Sequence, residues 1–175
     1  MDFTQTHFEL FGLPQSYALD RDKLDAAYRE LQNTVHPDRF AAQPETEQRV
    51  AMQWATQVNE AYQTLKHPVS RGVYLLKLQG IEALDASNTR MAPAFLMQQM
   101  EWRERLENEV NASALESLAE EVANARRAAL EACGRLIDQA RDYPRAVEQV
   151  RALMFIERFA QEVETRLHAC YDEME

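Results

Sequence analysis

Apolar side chains recur along this chain at steps of three and four residues, which marks one buried face on an α-helix. Leu24, Tyr28, Leu31 and Val35 follow one another at spacings of four, three and four. Asp20 stands ahead of them as an N-cap. Pro37 ends the run, because a proline disfavours helical backbone at the residue before it, here His36. A second stripe, Val50, Trp54, Val58, Ala61, Tyr62 and Leu65, begins after a polar break and stops at Pro68. Two such stripes joined by a short connection predict an antiparallel helical hairpin. Before it, HFELFGLP reads as a short helix closed by Gly12 and Pro14. After it, SRGVYLLKLQG reads as a short apolar helix ended by Gly80.

Residues 81 to 92, IEALDASNTRMA, break the periodicity and read as a hinge. From Pro93 onward the pattern predicts three more helices: about 93 to 110, about 113 to 141, and one from Tyr143 or Pro144 to near the end. Proline fits the first turn of a helix, where its missing N–H costs nothing. Phe95, Trp102, Leu106 and Val110 share the inward face of the first of these helices. Ala146, Val150, Leu153, Ile156, Ala160, Val163, Leu167 and Tyr171 do so in the last. No strand-like alternation of useful length, internal repeat or low-complexity tract occurs. The fold class is therefore all-α. An N-terminal helical unit over residues 1–78 and a linker over 79–92 are expected to precede a C-terminal three-helix bundle over 93–175.

Some apolar residues fall on the wrong face. At about 100° per residue, Met97 and Met100 lie roughly 120° to 180° away from the Phe95–Trp102 face. Glu101 and Glu104 lie beside them, and Leu96 sits at the border. In the last helix Phe155 points roughly 140° off its stripe, and Phe159 is only partly aligned. Such side chains either fill a contact with the N-terminal unit, sit singly in water, or form a docking patch with a charged rim.

Composition narrows the chemistry. The 175 residues carry a formal charge of −10, with four glycines and two cysteines. Phosphate binding needs clustered Lys and Arg, so nucleic acid is a poor partner for this chain. No apolar run approaches the roughly 20 residues that span a bilayer, and MDFTQTHF has neither the basic nor the apolar part of a signal peptide. Cys133 and Cys170 fit a reducing cytosol as packing residues. His7, His67 and His168 are scattered, and no Cys or His pair has zinc-ligand spacing. No nucleophile–base arrangement and no Gly-x-x-x-x-Gly-Lys loop is present. The expectation is a cytoplasmic protein with no catalytic residues, metal or cofactor of its own.

One tripeptide remains: His36-Pro37-Asp38, at the bend between the two long stripes. Taken alone it is a helix stop, with Pro37 breaking and Asp38 capping. In the order FELFGL, LDAAYRELQNTVHPDRF, VNEAYQTLKHP it resembles the J-domain, and the match covers residues 7 to about 76. LKHPVSRGVYLLKLQG, together with FLMQQMEWRERL in a helical C-terminal domain, makes the whole chain similar to the HscB-type J-domain co-chaperones of iron–sulfur cluster assembly. The mitochondrial relatives carry an added Cys-x-x-Cys module that is missing here, so the bacterial type fits better.

That resemblance implies two partners. His36, Pro37, Asp38, Arg29 and Arg39 would engage an HscA- or DnaK-type ATPase chaperone, with Asp38 pairing with a basic residue of the partner and His36 orienting the loop. A rigid proline would hold the turn without positive φ. Leu96, Met97, Met100, Glu101, Glu104 and Phe155 would hold the iron–sulfur scaffold protein IscU. Residues 20 to 35 depart from the usual basic face of J-domains: Arg21, Lys23 and Arg29 stand against Asp20, Asp22, Asp25 and Glu30. A dedicated chaperone partner is expected on that account. The alternatives are an adaptor for another client, and a plain helical structural or dimerisation protein.

Overall fold

The computed structural model describes residues 4–84, 91–109 and 111–172. Its helices are α1 (His7–Leu10), α2 (Arg21–Val35), α3 (Glu45–Lys66), α4 (Pro68–Leu78), α5 (Pro93–Asn108), α6 (Ala112–Gly134) and α7 (Tyr143–Asp172). A 3-10 turn, Pro37–Phe40, follows α2, and a π-turn, Arg135–Gln139, extends α6. The chain divides into two compact units, Met1–Leu75 and Leu76–Glu175, and the division falls inside α4.

In the first unit the hairpin α2–α3 forms as its pattern predicts. Asp20 caps α2 by accepting from the Lys23 backbone N–H at 3.2 Å. Leu24 and Val35 are buried from α2, and Ala51, Trp54, Val58, Ala61 and Leu65 from α3. That second set repeats at three and four residues throughout, so it is the true seam. Val50, one position to its side, is 47% exposed, which corrects its assignment to the buried stripe. A polar layer flanks the seam: Tyr28 donates to Asn59 at 2.8 Å, Tyr62 donates to Asp25 at 3.0 Å, and the two rings stack. Helix α1 opens with a capping box between Thr6 and Glu9. His7 stacks on Tyr74, and its backbone N–H donates to the Tyr74 hydroxyl at 3.0 Å. Burial lowers the pKa of His7, against the pull of Glu60. Gly12 and Gly80 adopt φ of 62° and 77°, the left-handed conformation that lets glycine end a helix.

The second unit is a bundle in which α6 and α7 form the main hairpin, with Leu115, Leu118, Val122, Ala129 and Cys133 facing Ala146, Val150, Leu153, Ile156 and Val163. Arg126 and Glu157 link the two helices at 2.8 Å. Helix α7 has 30 residues and α6 has 23, and the last turns of α7 are less covered. Leu167 is therefore only half-buried; Ala160, between the fully buried Phe159 and Val163, is half-buried at the edge of the stripe. Tyr171 is 42% exposed rather than buried, its hydroxyl bonded to Glu116. Phe159, expected to be only partly aligned, is fully buried. Val110, expected in the core, lies outside the described residues. The hinge is not free at its start: Ala83 is fully buried, and its carbonyl accepts from Nε of the buried Arg151 at 2.7 Å.

Candidate functional site

The bend after α2 is built by local hydrogen bonds rather than by glycine. His36 leaves the helix with φ −57° and ψ 126°, the extended backbone expected before proline. Pro37 then starts the 3-10 turn. The Arg39 N–H donates to the His36 carbonyl at 3.0 Å and the Ala41 N–H to the Asp38 carbonyl at 3.4 Å. The His36 ring caps this turn: its Nδ1 accepts from the Asp38 N–H at 3.3 Å. In that arrangement a neutral ring carries its proton on Nε2, so the outer edge of the imidazole is a donor. His36 orients the loop by capping it, and Asp38 is not the cap that a bare helix stop would make it.

Asp38 is left to face solvent. Its side chain is 89% exposed, and its carboxylate lies 3.5 Å from His36 Nδ1. Arg39 folds back, its guanidinium donating to the Asn33 carbonyl at 3.0 Å, where it satisfies an end-of-helix acceptor of α2. From the far side, Gln48 of α3 donates to the Ala41 and Gln43 carbonyls at 3.2 and 2.9 Å. The loop is thus pinned at both ends. Arg29 sits two turns earlier on α2, about 10 Å along the axis at 1.5 Å per residue, and is exposed. Arg21 and Lys23 are drawn into pairs with Asp25 and Asp20 at 2.9 and 3.4 Å. The structure thus brings His36, Asp38 and Arg39 together at one tip, with Arg29 as the exposed cation behind them.

The second candidate surface lies on α5. Leu96, Met97 and Met100 are 44%, 72% and 73% exposed, and Glu101 and Glu104 are exposed beside them. Phe155 does not point away from its bundle, as the 100° count implied. It is half-buried at the seam of α5 and α7, edge-on to Phe95 and stacked on Phe159 with ring centroids 5.8 Å apart in both pairs. The 100° count fails here because it allowed α7 a single packed face. In the bundle α7 meets two helices, and Phe155 and Phe159 fill the contact with α5. Trp102 stacks on Phe159 at 5.6 Å, and Arg103 lies over the Phe155 ring at 5.5 Å.

Sequence reading missed one feature altogether. Glu121 of α6 accepts from the Trp102 indole N–H at 2.7 Å through Oε1, and from Arg105 at 2.6 Å through Oε2. The indole bond, and then Arg105, hold its carboxyl below the ordinary value, against burial that would raise it. Nothing in residue spacing foretells this contact, because the partners stand 19 and 16 residues apart across a turn. Among the described residues no group of three His, Cys, Asp or Glu could hold a metal ion, and no helix is long and apolar enough to cross a membrane.

The chain is similar to known proteins. A DnaJ domain family model matches residues 6–74, and one described as the HSCB C-terminal oligomerisation domain matches residues 91–164. The chain is 53% identical over 161 residues to a co-chaperone protein HscB homolog of Burkholderia thailandensis, covering 90% of this chain and 91% of that protein. Among solved structures it resembles chaperone HscB from Vibrio cholerae, at 41% identity and a TM-score of 0.81, over 92% of this chain and 96% of that one. The human co-chaperone protein HscB superposes with a TM-score of 0.85 at 30% identity, over 94% of this chain and 83% of that one.

Proposed function

The chain belongs to the HscB family of co-chaperones, and from that premise we propose how its two surfaces divide the work. It is a J-domain co-chaperone that stimulates an Hsp70-type ATPase in iron–sulfur cluster assembly. The finer assignment is that residues 1–78 engage a dedicated HscA-type chaperone. The bundle over 93–175 then holds an IscU-type scaffold, with residues 79–92 between them. We assign this work to the bacterial cytoplasm, a reading supported by the bacterial relatives.

The exposed Asp38 carboxylate on its pinned turn is the observation that carries this reading. A preordered loop loses little freedom on docking, so its exposed carboxylate can meet a partner cation at low entropic cost. His36 supports the loop from behind and offers its outer edge as a donor. Arg29 supplies a flanking cation, and Arg39 stiffens the turn. The chemistry belongs to the partner: docking stabilises its hydrolysis-competent state over the others. On α5, Leu96, Met97 and Met100 supply an adaptable apolar centre with Glu101 and Glu104 as its rim, and Phe155 backs the patch at the seam. Tethering scaffold to the same chain raises its effective concentration at the chaperone.

Asp38→Asn keeps the size of the side chain and removes its charge. Stimulation of the chaperone's ATPase should fall at least about thirtyfold, the cost of losing one partner of an interfacial charge pair. Helicity and scaffold binding should be unchanged. Full stimulation by the Asn variant would overturn the assignment of Asp38.

A further inference from the structure

Helix α5 carries two apolar faces. Phe95, Trp102 and Leu106 are turned inward, while Leu96, Met97 and Met100 are exposed. Both sets are apolar, and a rotation of about half a turn would exchange one for the other, so burial separates them by size and fit rather than by kind. An open cleft of about 750 Å3 runs beside the N-terminal half of α5, lined by Phe95 and Gln98 of α5, Ala125 and Ala132 of α6, and Ala152 and Ile156 of α7.

The polar contacts of α5 are not interchangeable in this way. Trp102 and Arg105 stand three residues apart, on neighbouring turns of one side of the helix. The Glu121 carboxylate takes one of them on each oxygen, at 2.7 and 2.6 Å. A single acceptor gripping two turns fixes both the rotation and the axial register of α5. After a half-turn Leu96, Met97 and Met100 could not replace the indole donor, since leucine and methionine carry no N–H or O–H on their side chains, and Arg103, the guanidinium on that side, is engaged over the Phe155 ring and with Glu162.

We propose that Glu121 is a positioning residue for the scaffold-binding surface, selecting which apolar face of α5 is buried and hence which is offered to the partner. The inference rests on the reading of Leu96, Met97 and Met100 as that surface. A polar asparagine that sets register in a coiled coil offers a comparison: a directional contact favours one packing over its rivals, in addition to what apolar burial contributes.

The test uses Glu121→Leu and Arg105→Gln in the full-length chain, with scaffold binding measured by calorimetry. The Trp102 indole N–H is followed by NMR and assigned with Trp102→Phe. Glu121→Leu should keep the helical circular dichroism, bind scaffold about tenfold more weakly, and shift or double the indole resonance. Arg105→Gln leaves the indole bond in place, so it should show a smaller loss and a single resonance. It also serves as the test should the leucine variant unfold. Wild-type affinity with an unmoved indole resonance in these variants would overturn the positioning role. If Met97→Ala with Met100→Ala also left affinity unchanged, the patch itself would be misassigned. If that pair lost binding while the Glu121 and Arg105 variants kept it, the patch would stand and only the role of Glu121 would fall.

Discussion

The hairpin tip carries its chemistry on consecutive residues, His36 to Asp38, held by hydrogen bonds that span at most seven positions. The α5 patch has no such local frame. Leu96, Met97 and Met100 are outward only because Trp102 is inward, and Trp102 is inward because of Phe159 and Glu121, contributed by two other helices. One surface is a local turn displayed by a hairpin; the other is what remains after a tertiary choice of packing. The two should therefore respond in opposite ways to damage in the bundle core.

Trp102→Ala makes the largest break. Trp102 is fully buried against Phe95 and Phe159, and truncating such a residue costs about 3–5 kcal/mol. Urea unfolding followed by circular dichroism should show that loss, and scaffold binding should disappear with it. ATPase stimulation measured without scaffold should stay within about twofold, because the tip draws nothing from this core. A parallel collapse of stimulation would end the claim that the tip stands on local structure.

Met97→Ala combined with Met100→Ala sharpens the same contrast from the other side. Both side chains are more than 70% exposed, so stability should move by less than about 0.5 kcal/mol. Scaffold affinity should nevertheless fall about tenfold or more, as expected when anchors at the centre of an interface are truncated. Calorimetry and thermal melting on one sample separate the two effects. A destabilised variant with normal affinity would mean that these residues pack rather than bind.

The contrast also explains what the sequence made legible. Local signals agree with the structure: the Asp20 cap, the proline stop after Val35, the glycine ends at Gly12 and Gly80, and the helices α2 and α7, whereas α3 begins at Glu45, ahead of the stripe read from Val50. The tip was visible because its residues are contiguous. The exposure of Met97 and Met100 was also legible, since it follows from their angle to Trp102. Phe155 was misread because a helical wheel gives one angle per residue, whereas α7 packs on two helices and has two inward directions. Val50 was misread because a four-residue step back from Trp54 overshoots the seam, which runs through Ala51. The Glu121 clamp was invisible: two donors on one helix and an acceptor on another leave no periodic trace. His36 is expected to orient the loop, but not by capping the turn through Nδ1, since the sequence offers an acidic residue beside it that is the commoner capping type.

The smallest expected effect tests whether the clamp on α5 works by charge or by hydrogen bonding alone. The carboxyl of Glu121 is held below its ordinary value of 4.5, first by the Trp102 indole N–H and then by Arg105. A carboxyl whose folded-state pKa is depressed binds its proton more readily when the chain unfolds. Its contribution to stability is therefore fully present above pH 4.5 and is lost as pH falls through the lower folded value. The side chain is 44% exposed, so solvent and salt screen the effect and keep it modest. The melting temperature of wild type should exceed that of Glu121→Gln by a constant margin from about pH 7 down to about pH 5. The margin should shrink steadily below that range, and it should be smaller in high salt. A margin independent of both pH and salt would mean that a neutral acceptor serves as well as a charged one. The face of α5 would then be chosen by hydrogen-bond geometry alone, and the ion pair with Arg105 would have no part in placing the patch.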